Sequence, residues 1–225
     1  LRATSGGVTT ASYRTGRDLI LQGTSLSLGQ AIAPVVRDLS ITSLGNFTSS
    51  SPLSAGRNVT IDVAGKAILG QTSAVGVIRV AASDLDLTGT VTAPNIQIES
   101  RGGAIRVGGA AGAGGFVLDN TEFGQLRASS QVKIYAGLTT GGSRGDLTLQ
   151  DLQITPGNTP SVTFLVGSTA NALVTGVASP TTSGGILRIG DVTDLNWRPN
   201  SILVTGGLGG ATFANGQYSN IRSFN

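Results

Sequence analysis

The segment RDLIL at residues 17–21 is followed by RDLSI at 37–41 and RNVTI at 57–61. The three copies are evenly spaced, and each has Arg, then Asp or Asn, then two apolar residues flanking a variable one. Because side chains alternate across a strand, both apolar residues face one side of a sheet and the middle residue faces the other. Strands this short persist when each lies against an equivalent strand. The period therefore predicts an all-β chain folded as a parallel β-solenoid of roughly 20 residues per coil.

Looser copies of the phrase occur at residues 83–87, 94–98, 130–134 and 145–149. Further apolar-x-apolar pairs, without the polar residues in front, are Ile78/Val80, Ile105/Val107, Leu152/Ile154, Leu187/Ile189 and Ile202/Val204. With a constant period, the chain would form on the order of eleven coils, stacked about 4.8 Å apart. The Asp or Asn in front of the strand is expected to turn the corner by bonding backbone, or to stack on its equivalent in the next coil.

Composition supports an ordered chain in which helix is nearly excluded. Gly, Ser and Thr supply 83 of 225 residues, yet 39% of residues are hydrophobic, more than a disordered Gly/Ser linker contains. Segments free of both Gly and Pro are all short, which leaves little room for helix. Four intervals, 102–115, 137–145, 156–163 and 178–185, break the period and are predicted to be loop or hairpin excursions. We expect one elongated domain over residues 1–225.

The chain contains no His, no Cys and no Met. Ser-His-Asp, Cys-His and zinc chemistry are therefore unavailable, and we predict a protein that is not an enzyme and has no cofactor. The missing Met indicates a processed product or a piece of a longer protein. The net charge is only +3, with basic residues scattered along the chain, which does not indicate nucleic-acid binding. No apolar stretch approaches the length that a membrane-spanning helix needs, so no membrane insertion is expected in this segment.

The phrases GRDLIL at residues 16–21, AGRNVTI at 55–61 and APNIQI at 93–98 resemble the repeats of filamentous-haemagglutinin-type bacterial exoproteins. The resemblance covers most of residues 16–149. These large surface adhesins are exported by two-partner secretion or as autotransporter passengers. The resemblance implies a right-handed parallel β-helix, secretion to the bacterial cell surface and a role in adhesion. The family's Asn-Pro-Asn-Gly secretion motif has no match, since the nearest sequence is RPNS at 198–201.

Three groups of residues are candidates for a site. Arg144, Gly145 and Asp146 form the integrin-recognition tripeptide, although Asp146 also fills the polar position of the repeat at 145–149. Paired carboxylates, Asp84 with Asp86 and Asp191 with Asp194, could perform acid/base chemistry on sugars or hold Ca²⁺. The Gly-rich residues 108–115 lack the Gly-Lys-Ser/Thr ending of a phosphate loop, so a tight corner or loop is expected there.

The sequence leaves three functions open. The first is a non-catalytic structural or adhesive module that attaches to a host or neighbouring cell-surface protein or glycan, or to other protein subunits. The second is a polysaccharide-active β-helix enzyme, a lyase or glycosidase, that uses Asp residues. The third is a filament or scaffold subunit that self-associates through the ends of the solenoid, where unpaired strand edges are exposed.

Overall fold

The computed structural model describes residues 17–30, 32–112, 115–137, 145–153 and 161–166. It also describes the backbone of the shorter strands at 7–9, 171–174, 177–178, 186–190, 201–204, 212–213 and 221–223. The elements are β1 (Gly7–Thr9), β2 (Leu19–Gly23), β3 (Ser25–Leu28), β4 (Leu39–Ser43), β5 (Phe47–Ser49), β6 (Leu53–Ala55), β7 (Val59–Val63), β8 (Lys66–Leu69), β9 (Thr72–Ala74), β10 (Val77–Ala82), β11 (Asp84–Leu87), β12 (Val91–Ser100), β13 (Ile105–Gly108), β14 (Phe116–Leu118), α1 (Asn120–Phe123), β15 (Leu126–Tyr135), β16 (Leu147–Gln150), β17 (Leu152–Gln153), β18 (Ser161–Leu165), β19 (Asn171–Val174), β20 (Val177–Ala178), β21 (Ile186–Gly190), β22 (Ser201–Val204), β23 (Thr212–Phe213) and β24 (Ile221–Ser223).

The predicted parallel stacking is confirmed. In the described part of the chain, the path of the main sheet runs through β2, β4, β7, β10, β12, β15, β18, β21 and β23, each parallel to the next. Between successive strands on this path the chain passes through strands of other sheets, as β5 does between β4 and β7. A chain that returns to the same sheet in this way winds as a β-solenoid.

The core is built from the apolar-x-apolar pairs. Each pair of the main sheet lies in register with the next, which aligns two columns of inward-facing side chains. The first column is Leu19, Leu39, Val59, Ile78, Ile96, Val132 and Val162, and the second is Leu21, Ile41, Ile61, Val80, Ile98, Ile134 and Phe164. Burial of each large apolar side chain contributes about 1.5–3 kcal/mol. Because the chain has no Cys, the fold depends on this burial and on the strand hydrogen bonds.

Three further sheets complete the coils, and the smallest is the parallel pair of β17 and β20. The second sheet has the order β1-β3-β5-β8-β11, and the third has the order β14-β13-β16-β19-β22-β24. The short strands β6 and β9 pair with each other, and β9 continues onto the first residues of β12. The repeat phrases at residues 83–87 and 145–149 belong to the second and third sheets, whereas the other phrases belong to the main sheet. The phrase therefore predicts where a strand forms but not which sheet the strand joins.

The repeat length changes along the stack. The first column advances in equal steps from Leu19 to Leu39 and on to Val59, and the step from Ile78 to Ile96 is only slightly shorter. The step from Ile96 to Val132 is twice as long as the one before it. Coils after residue 100 are longer than the sequence period indicates, which is why the main path has nine described strands instead of about eleven.

The longest coil contains an additional strand, β14, which pairs with β13, while β13 itself pairs with β16 of the next coil. β13 and β14 are adjacent and parallel, with Ile105 opposite Phe116, although only residues 109–115 connect them. Parallel neighbours normally need a crossover of a dozen or more residues. The interval 102–115 was therefore predicted only in part as an excursion: β13 is a regular strand of the third sheet, and its pairing with β14 is not an antiparallel hairpin. The interval 156–163 was wrongly predicted as loop throughout, because β18 begins at Ser161 and Val162 lies in the core column.

Candidate functional site

A polar ladder occupies the corner in front of the main sheet. Asp18 Oδ1 accepts a hydrogen bond from the Asp38 amide at 3.2 Å. The guanidinium of Arg37 binds the same carboxylate in a bidentate pair, with Nε–Oδ1 at 3.1 Å and Nη2–Oδ2 at 3.0 Å. Asp18 thus accepts a hydrogen bond from the backbone of its equivalent residue in the next coil, Asp38.

The next coil repeats this arrangement and then ends it. Arg57 Nε donates to Asp38 Oδ1 at 2.8 Å, and its Nη2 donates to Oδ2. Asn58 Nδ2 also donates to Asp38 Oδ1, at 3.2 Å, while Asn58 Oδ1 accepts from the Val77 amide at 2.9 Å. The hydrogen bond from Arg57 lowers the pKa of the Asp38 carboxyl below its ordinary value. Val77 is apolar, so the ladder of side chains ends there.

Asp84 and Asp86, the carboxylates considered for acid/base chemistry, do face the same side of β11. The ammonium of Lys66 stands between them, 3.0 Å from Asp84 Oδ2 and 2.7 Å from Asp86 Oδ1. The hydrogen bonds from Lys66 to Asp86 and to Asp84 raise the pKa of the lysine. Both carboxylates are therefore used in a bridge between β8 and β11, an arrangement that holds two coils together.

A charged cluster on the outer face of the main sheet was not predicted. Arg79 Nε and Nη2 bind Glu99 Oε1 and Oε2 at 2.9 and 2.8 Å, and only 2% of the Glu99 side chain is exposed. The hydrogen bond to Glu99 raises the pKa of Arg79. On the same face, where Asp62 is in register with Ala81, Arg101 Nη2 donates to Asp62 Oδ1 and links two coils.

Glu99 belongs to a row of outward-facing residues that are nevertheless buried. Ala81, Glu99, Tyr135 and Leu165 are in register, and each follows an inward-facing core residue along its strand. All four are at most 5% exposed, yet none belongs to the apolar core cluster. Strand periodicity predicts which side a residue faces, but it carries no signal that the outer side is covered.

The structure describes two residues of the integrin-type tripeptide, and Arg144 lies outside the described residues. Gly145 donates its amide to Ala136 O at 3.0 Å, and a side chain at Gly145 would collide with the Ala104 amide. The Asp146 side chain is exposed, while its carbonyl accepts from the Ile105 amide at 2.9 Å. Gly145 and Asp146 thus form the packed entry to β16.

Residues 109–112, part of the Gly-rich connection, lie beside a side chain of the protein itself. Arg106 Nη1 donates to Ala110 O at 3.2 Å and to Gln150 Oε1 at 3.0 Å. Gly108 has a φ of +93°, and a side chain there would collide with Gln150 O. In the described residues the chain turns through Gly108 and Gly109 at positive φ, and the guanidinium of Arg106 is hydrogen-bonded to the Ala110 carbonyl.

Glu122 fastens α1 to the end of the second sheet. Its Oε1 accepts from the Leu87 amide and its Oε2 from the Asp119 amide, both at 3.1 Å. The Asp119 carboxylate accepts in turn from the Glu122 amide at 2.8 Å, which completes a capping box. Burial raises the pKa of Glu122, and the nearby Asp119 and Asp86 add to that effect.

No metal centre is found in the residues that the structure describes, where no group of three or more His, Cys, Asp or Glu side chains could hold an ion. Asp191 and Asp194 lie outside the described residues. Among the described residues, no helix is long and apolar enough to cross a membrane.

Comparison of the chain with protein-family models, with curated proteins and with solved structures finds no match.

Proposed function

We propose that this chain is a non-catalytic structural and adhesive module of a secreted or surface-exposed bacterial protein. The proposal rests on the way in which the charged side chains pair with one another. The ion pairs found among the described residues each join two different coils: Asp18 to Arg37, Asp38 to Arg57, Lys66 to Asp84 and Asp86, Arg79 to Glu99, and Asp62 to Arg101. The two carboxylates considered for catalysis are among the groups that hold one coil on the next.

The chemistry of these pairs favours structure over catalysis. A glycosidase needs two carboxylates on either side of the scissile bond, one of which donates a proton. At β11 the two candidate carboxylates share one ammonium instead of facing a substrate. Glu122, a described carboxyl with a raised pKa, accepts two backbone hydrogen bonds and is held inside the capping box.

The relation to filamentous-haemagglutinin-type adhesins is part of the same proposal, and it rests on the repeat phrases at residues 16–21, 55–61 and 93–98. Right-handed winding and secretion to the bacterial surface follow from that relation. The partner would be a host or neighbouring cell-surface protein or glycan. It would bind along an extended face of the protein and not in a deep pocket. Parallel stacking supports this idea, because it presents rows of side chains about 4.8 Å apart along an extended face.

Adhesion is tested with the purified protein coated on beads. Retention of the beads on host cells and on other bacterial cells is compared with retention of uncoated beads, and antibodies against the chain are tested for labelling of intact bacteria that encode it. We expect retention and surface labelling. If the beads are not retained on any cell and intact bacteria are not labelled, an adhesive surface role is wrong.

A matched variant separates the tripeptide from the rest of the surface. Asp146→Ala removes an exposed carboxylate while leaving Gly145 and the backbone bond to Ile105 in place. We expect retention to persist in this variant, because Gly145 is packed against its neighbours and is poorly placed for insertion into a receptor. If retention is lost while the circular dichroism spectrum is unchanged, the adhesive contact is the tripeptide.

Catalysis is tested on a panel of neutral and acidic polysaccharides by measuring new reducing ends and unsaturated uronates. We expect neither product. If a product does form and is abolished in a folded Asp84→Asn, Asp86→Asn double variant, the chain is an enzyme and the proposal fails.

Sedimentation at increasing protein concentration tests the filament alternative, which requires growing assemblies.

A further inference from the structure

We draw no further inference here: the strongest candidate, the row of outward-facing but buried side chains Ala81, Glu99, Tyr135 and Leu165 on the main sheet, carries none because nothing in the described part of the chain shows what covers it.

Discussion

The coils before and after residue 100 use the same inward-facing columns but are joined in different ways. Before residue 100, the first column advances in nearly equal steps, and inter-coil ion pairs line the corner and the outer faces. After it, one coil is about twice as long and contains β13, β14 and α1. The columns nevertheless continue without a break from Ile96 to Val132. A solenoid therefore requires a constant strand position in each coil, whereas the length of chain between strands can vary.

The largest loss of stability is expected from core substitutions, which test whether the two regions share one core. Phe47 and Phe164 are both fully buried, one in each region. Replacing either with Ala should cost about 3–5 kcal/mol, because the lost burial and the remaining cavity add together. If the core is continuous, each substitution lowers the midpoint of a single transition in urea, measured by circular dichroism. Two separate transitions, each sensitive to only one substitution, would show that the regions unfold independently.

The next largest change in stability is expected when a glycine after residue 100 is replaced, compared with a glycine before it. Gly108→Ala should destabilise the protein by more than about 1 kcal/mol, because its φ is +93° and the new side chain would collide with Gln150 O. Gly29→Ala is the control, since the space around Gly29 is open. There we expect a change near zero or a gain of about 0.4–1 kcal/mol. Equal losses of stability at both positions in urea unfolding would contradict this account of the backbone at Gly108.

Ion pairs within the regular region should differ according to burial. Arg79→Met leaves the Glu99 carboxylate buried without its bidentate partner, and we expect a loss of about 2 kcal/mol, below the full cost for a completely buried pair because Arg79 is partly exposed. Arg37→Met breaks an exposed pair with Asp18 and should cost less than about 1 kcal/mol. The comparison is made by urea unfolding at low and at high salt. A larger loss of stability for Arg37→Met than for Arg79→Met would show that burial does not decide how much these ion pairs contribute.

The smallest effects are in the pH dependence, and their signs are opposite in the two regions. The lowered pKa of Asp38 means that its stabilising contribution is present above the unfolded pKa and is lost as pH falls through the folded one. The raised pKa of Glu122 has the reverse consequence: its contribution is present below the unfolded pKa and is lost as pH rises through the folded one.

Free energies of unfolding measured across acidic pH for Asp38→Asn and Glu122→Gln, each relative to the unmodified protein, test these two signs. The difference for Asp38→Asn should shrink as pH falls. The penalty for Glu122→Gln should grow as pH falls, because the native protein then gains from protonating Glu122. Parallel pH profiles for the two variants would contradict the assigned environments.

Particular residues show how far the sequence could predict the site. The positions of Asp18, Asp38 and Asn58 in front of strands could be predicted, because a constant period places equivalent residues directly above one another. The Lys66 bridge and the Arg79–Glu99 pair could not, since each joins residues whose lateral positions depend on how the corners of a coil close. The strand at Val162 was missed because the irregular interval before it hides the period.

The sequence by itself determined that the chain is β-rich, that most of its strands are short, and which side chains point inward, because alternation by two is a local property of the backbone. The tertiary structure decided which face each strand joins, where an additional strand could be inserted into one coil, and which outward-facing residues are buried. Those features depend on contacts between residues one coil or more apart along the chain, and no local pattern of residues specifies such contacts.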